Sequence, residues 1–85
     1  MHEMSLALDV GRMVEKEMER HPGRLVTVGV AVGDDAGVEP SSLEFCLAAV
    51  LAHPPFAGAR AVLTKVPGDA LRLDYLEVDD GRPDH

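Results

Sequence analysis

The stretch Arg24-Leu25-Val26-Thr27-Val28-Gly29-Val30-Ala31-Val32 decides the fold. Val26, Val28, Val30 and Val32 alternate with Leu25, Thr27, Gly29 and Ala31, the period of two that marks a β-strand. The valine face is expected to meet the helices. Gly29 and Ala31 leave the opposite face nearly bare, which invites another surface to approach it.

On the amino-terminal side, residues 4–21 read as an amphipathic helix. Leu6, Ala7, Val10, Met13, Val14 and Met18 recur at three- and four-residue spacing and form one apolar stripe. Ser5 can cap its start, Pro22-Gly23 stops it, and His21 falls in its last turn, where a cation complements the helix dipole. On the carboxyl side comes an acidic, turn-rich loop, Gly33-Asp34-Asp35-Ala36-Gly37, expected to be solvated. A second helix opens at Glu39-Pro40-Ser41-Ser42. Either Pro40 takes the first helical position, or Ser41 caps with Glu44 as a capping box. Leu43, Cys46, Leu47, Val50 and Leu51 make its apolar side, with Phe45 on the flank, and His53-Pro54-Pro55 ends it. Cys46 sits among apolar neighbours and reads as a small core residue rather than a nucleophile.

Residues 59–66 and 71–78 read as two more strands around the turn Pro67-Gly68-Asp69. Leu71 and Leu73 share one parity while Leu76 and Val78 share the other, so a bulge near Asp74-Tyr75 is needed to bring both pairs to one face. The order α-β-α-β-β predicts an α+β two-layer sandwich. Two helices pack on one face of a small three-stranded mixed sheet, with a right-handed crossover and the last two strands as antiparallel neighbours. Residues 1–78 form the single domain and residues 79–85 a polar tail.

At 85 residues the core is thin, which makes a homodimer an expectation, through the bare strand face or a sheet edge. The net charge of −7, without a Lys/Arg cluster, argues against nucleic acid and anionic membrane as partners. No apolar run reaches the length of a membrane span and charges begin at residue 3, so a cytoplasmic protein is expected. The single Cys46 excludes an internal disulfide and a cysteine-based zinc site. No nucleophile–base pair, phosphate loop or catalytic carboxylate pair can be assembled, so the chain does not read as an enzyme.

The first residues, Met1-His2-Glu3-Met4-Ser5, carry the chemistry. The Met1 amine, the His2 backbone nitrogen and the His2 imidazole can close fused rings around one metal ion. Glu3 adds its carboxylate or its backbone nitrogen as a fourth donor. Borderline donors tending towards a planar arrangement suit Ni(II) or Cu(II) better than Mg or Ca. The other histidines, His21, His53 and His85, are the alternative ligands should the terminus not serve.

The run Met1-His2-Glu3-Met4-Ser5-Leu6 resembles the opening of the hydrogenase/urease nickel-incorporation proteins, the HypA/HybF family. Val38-Glu39-Pro40 with Leu43, Phe45 and Cys46 resembles the start of that family's second helix. Gly68-Asp69-Ala70-Leu71 with Leu76-Glu77-Val78 resembles its closing strand. The resemblance implies a nickel metallochaperone that binds Ni(II) transiently at Met1, His2 and Glu3. It also implies delivery for maturation of a NiFe hydrogenase or urease, with a maturation GTPase or the nickel-enzyme precursor as partner. An alternative is a regulatory or scaffolding relative that keeps the fold and does not deliver metal. The family's zinc-binding insertion, with two Cys-x-x-Cys pairs, is replaced here by the short turn around Pro67-Gly68-Asp69, so no structural zinc is expected.

Overall fold

The computed structural model describes residues 2–80; Met1 and residues 81–85, most of the expected tail and His85 with it, lie outside the described residues. The elements are α1 (Glu3–Met18), β1 (Arg24–Gly33), α2 (Pro40–Leu51), β2 (Arg60–Val66) and β3 (Leu71–Asp79). Both helices pack on one face of a three-stranded mixed sheet, as the sequence pattern predicts.

Each helix is placed by one apolar face. Leu43, Leu47 and Leu51, one per turn of α2, are fully buried, and each such leucine contributes about 1.5–3 kcal/mol through burial. Ala7, Val10 and Val14 do the same for α1, with Leu6 and Met18 at the margins. Met13 is not part of this stripe: it falls beside it and is exposed. The α1 helix also ends earlier than its pattern predicts. The N–H groups of Glu19, Arg20 and His21 bond three residues back, to Lys16, Glu17 and Met18, which tightens and closes the last turn. Ser5 lies inside the helix, and His2 occupies the N-cap without a side-chain bond. In α2, Pro40 takes the first turn while the Glu39 carboxylate accepts from the Ser42 N–H at 2.8 Å. The capping box from Ser41 does not form; Ser41 Oγ donates to Glu39 instead.

The strand order is β2-β1-β3, with β1 parallel to β2 and antiparallel to β3. The last two strands are therefore not neighbours, contrary to the sequence expectation. Their connection crosses the end of β1 instead of folding back as a hairpin. Gly33 N–H bonds Ala70 O at 2.6 Å, Asp34 N–H bonds Val66 O and Asp35 N–H bonds Gly68 O, both at 2.8 Å. A Cβ at Gly33 would collide with the Gly68 carbonyl, so the crossing requires glycine there. The most apolar strand thus takes the centre, and the strands bearing Arg60, Lys65, Arg72 and Glu77 take the edges, where charge discourages further pairing.

Two bulges set which side chains reach the core. The register steps from Leu25↔Val78 to Thr27↔Glu77, leaving Val26 as an extra residue on β1. Val26 is consequently 39% exposed, and Leu25 joins Val28, Val30 and Val32 in the core, so the strict alternation fails at this one position. A second step, from Gly29↔Tyr75 to Val30↔Leu73, leaves Asp74 extra on β3. This is the bulge the leucine parity demands, and it brings Leu71, Leu73 and Leu76 onto the core together.

The face carrying Gly29 is less bare than its sequence implies. The Tyr75 ring lies across Gly29, in the space a Cβ would occupy. Replacing Gly29 with alanine must push that ring aside, at a cost of about 1–3 kcal/mol. In a Tyr75→Ala background the same replacement should be close to neutral. Urea unfolding of the two single variants and the double variant measures this coupling. Additive effects within about 0.5 kcal/mol would show that ring contact is not what Gly29 provides.

Candidate metal site at the amino terminus

Helix α1 begins at Glu3, so the residues singled out by sequence lie at a helix end. The first N–H groups of any helix lack intrahelical acceptors, and positive potential gathers there. His2, at the N-cap, is exposed, and its carbonyl accepts from the Leu6 N–H at 2.9 Å. Met1 lies outside the described residues.

Glu3 points the other way. It is only 6% exposed, and its Oε2 accepts a 3.1 Å hydrogen bond from the Glu39 N–H, at the N-cap of α2. The donated Glu39 N–H holds the carboxyl below the usual glutamate value, followed by the backbone N–H groups of Glu3 itself and of His2. Oε1 is also buried and has no hydrogen-bond partner among the described residues. One carboxylate therefore sits against the amino-terminal ends of both helices, where an anion is favoured twice. Sequence reading offered the Glu3 carboxylate or its backbone nitrogen as a metal donor. The fold commits the carboxylate to tying α1 to α2.

The Glu39 carboxyl is likewise held low, first by the Ser42 N–H and then by the Ser41 hydroxyl. Glu3, Met4, Glu39, Ser41, Ser42, Phe45 and Cys46 line a groove beside the terminus. Sequence reading missed this groove because it joins residues from two helix starts. Phe45 is 75% exposed on its rim, and Cys46 is a half-buried residue packed on the edge of the core. The remaining described histidines stand apart from this groove: His21 Nε2 lies 3.7 Å from Glu17 Oε2 beyond the end of α1, and His53 is exposed beyond α2. Among the described residues, no group of three or more His, Cys, Asp or Glu side chains converges in a metal-binding arrangement.

Comparison with known proteins follows the same residues. The family model described as hydrogenase/urease nickel incorporation, metallochaperone, HypA matches residues 1–71. The chain is similar to the hydrogenase maturation factor HypA of Albidiferax ferrireducens, 38% identical over 71 residues, covering 82% of this chain and 63% of that protein. That of Geobacter sulfurreducens is 38% identical over 68 residues, covering 80% and 60%. In Paracoccus denitrificans the figures are 34% over 84 residues, covering 94% and 74%. The chain thus spans about three-fifths of the length of the first two relatives. No solved structure matches it significantly. With most of its length matched by the family model and by these relatives, the chain belongs to the HypA family of nickel-incorporation proteins.

Proposed function

We propose that this chain binds one Ni(II) through the Met1 amine, the backbone and imidazole nitrogens of His2, and Glu3, and presents it for maturation of a nickel enzyme. The observation that carries the reading is the division of roles at the start of α1. His2 is exposed at the helix end, while the Glu3 carboxylate is turned inward against α2. That arrangement leaves Glu3 to contribute its backbone nitrogen, making four nitrogen donors; on binding, the His2 and Glu3 amides give up their protons and their contacts with the carboxylate, which keeps its bond from the Glu39 N–H. Such a set suits a planar Ni(II) centre. A maturation GTPase or the precursor of a NiFe hydrogenase or urease is the proposed recipient, the protein works in the cytoplasm as a homodimer, and it needs no catalytic group of its own. With Cys46 as its one cysteine, it holds no structural zinc.

The β2–β3 connection favours a second reading, in which the chain regulates or scaffolds maturation without delivering metal. Residues 67–70 form a short turn bonded onto Gly33, Asp34 and Asp35, at the place where the family resemblance puts a zinc module. A nickel-transfer assay to a recipient apoenzyme separates the two readings. Binding with transfer supports delivery; binding without it supports the regulatory relative.

Nickel titration by calorimetry tests the site itself. Native chain should bind one Ni(II) per protomer. His2→Ala, or one extra residue before Met1 that converts the amine to an amide, should remove tight binding while leaving the circular dichroism spectrum unchanged. A free imidazole and a free α-amine ordinarily titrate at about 6.5 and about 7.7–8.0, so affinity should fall steadily from about pH 8 to about pH 6. Equal binding by all three proteins would move the site to His21, His53 or His85.

Glu3 should behave in the opposite way to His2. Because its carboxyl is held low in the folded chain, its stabilisation is present above the ordinary glutamate range and disappears as pH falls through the lowered folded value. Glu3→Ala should therefore lower Tm at neutral pH by several degrees and reduce the loss of stability on acidification, with a much smaller effect on nickel affinity than His2→Ala. Thermal melts from neutral to strongly acidic pH, paired with the nickel titration, check this. A variant of undiminished stability that fails to bind nickel would instead make the carboxylate a metal ligand.

A further inference from the structure

We propose that the sheet face opposite the helices is the interface of a twofold dimer, in which Arg60 of each copy pairs with Glu77 of the other. The register places three rows on that face. Arg60, Thr27 and Glu77 form the first, Val62, Gly29 and Tyr75 the second, and Thr64, Ala31 and Arg72 the third. Within each row the central residue is small, and the flanking residues come from opposite edges of the sheet. The inference does not depend on nickel binding.

A twofold axis laid along β1, between two such faces, sets β1 over β1 and β2 over β3 without shifting the rows. Every flanking residue then meets the opposite end of its own row: Arg60 meets Glu77, Val62 meets Tyr75 and Thr64 meets Arg72, each contact occurring twice. The charged row is thus complementary to itself. The angle of about 30° usual between aligned sheets displaces the edge strands by only about 2–3 Å, well within the reach of arginine.

The spacing also fits. Sheets pack about 10 Å apart. Each Tyr75 ring lies on Gly29 with 40% of the residue still exposed. Two such rings stacked between two glycine backbones make three contact layers of about 3.5 Å each, which fills that distance. Charge does not oppose the contact. Although the chain carries −7, the three rows hold Arg60 and Arg72 against Glu77, and Asp74, 3.9 Å from Arg72, balances the second arginine, so the face is close to neutral. A face of roughly 14 by 25 Å, about 350 Å² in projection, is smaller than the roughly 800 Å² per partner of a standard interface, so the dimer should be weak, forming at micromolar concentration or above rather than being obligate.

Sedimentation velocity of the full chain over two decades of micromolar concentration is the test. Wild-type protein should pass from monomer to dimer. Arg60→Glu and Glu77→Arg should each weaken the dimer at least about tenfold by setting like charges together. The double variant, with the charges exchanged, should recover it, which a merely unstable variant would not do. Thermal melts of each variant report folding separately, and His2→Ala should dimerise like the wild type. A wild-type monomer throughout, or a dimer indifferent to both charge reversals, would overturn the proposal.

Discussion

Strand β1 is hydrogen-bonded on both edges and covered on both faces, and the rest of the structure depends on that constraint. Its core side, Leu25, Val28, Val30 and Val32, is the floor on which both helices rest. Its other side, Thr27, Gly29 and Ala31, is held to small residues, with the Tyr75 ring lying over Gly29. Strand β1 precedes both of its neighbours in the chain, so it cannot be joined by a hairpin to each of them. One neighbour arrives through the α2 crossover as a parallel strand, and the other arrives by passing over the end of β1. Gly33 is the point where that passage touches, and the backbone bonds from Gly33, Asp34 and Asp35 fix it.

The valine alternation, the apolar stripe of each helix and the leucine parity of β3 were readable because each depends on local periodicity. The Asp74 bulge was readable for the same reason: no unbulged strand can present Leu71, Leu73 and Leu76 together. The Val26 bulge was not, since valine suits a strand at either parity and nothing in the local pattern marks the extra residue. Strand order was misread because a four-residue link looks like a hairpin. Whether it folds back or crosses depends on which strand is apolar enough to be central, which is a property of the whole sheet.

The site divides along the same line. Met1, His2 and Glu3 stand out in the sequence as a candidate site because a chelating terminus is a local feature. The two uses of Glu3 could not be separated there, because its partner is Glu39, 36 residues away. The contact is a charge-assisted hydrogen bond between the starts of two helices, and only packing creates it. Cys46 shows the same limit: its apolar neighbours describe one side of α2, while the groove on its other side needs α1 to form.

A carrier must hold its metal firmly enough to load and loosely enough to release. The proposed site, assembled mainly from main-chain and terminal nitrogens, would meet both needs, because each donor competes with a proton and none is wedged into a core. The fold contributes position instead of additional ligands. The Glu3 carboxylate ties the start of α1 to the start of α2, so the proposed donors of His2 and Glu3 stand at an anchored helix end. In the proposed site, separating the anchoring carboxylate from the binding nitrogens would let so thin a domain accept and surrender a metal ion without staking its fold on either state.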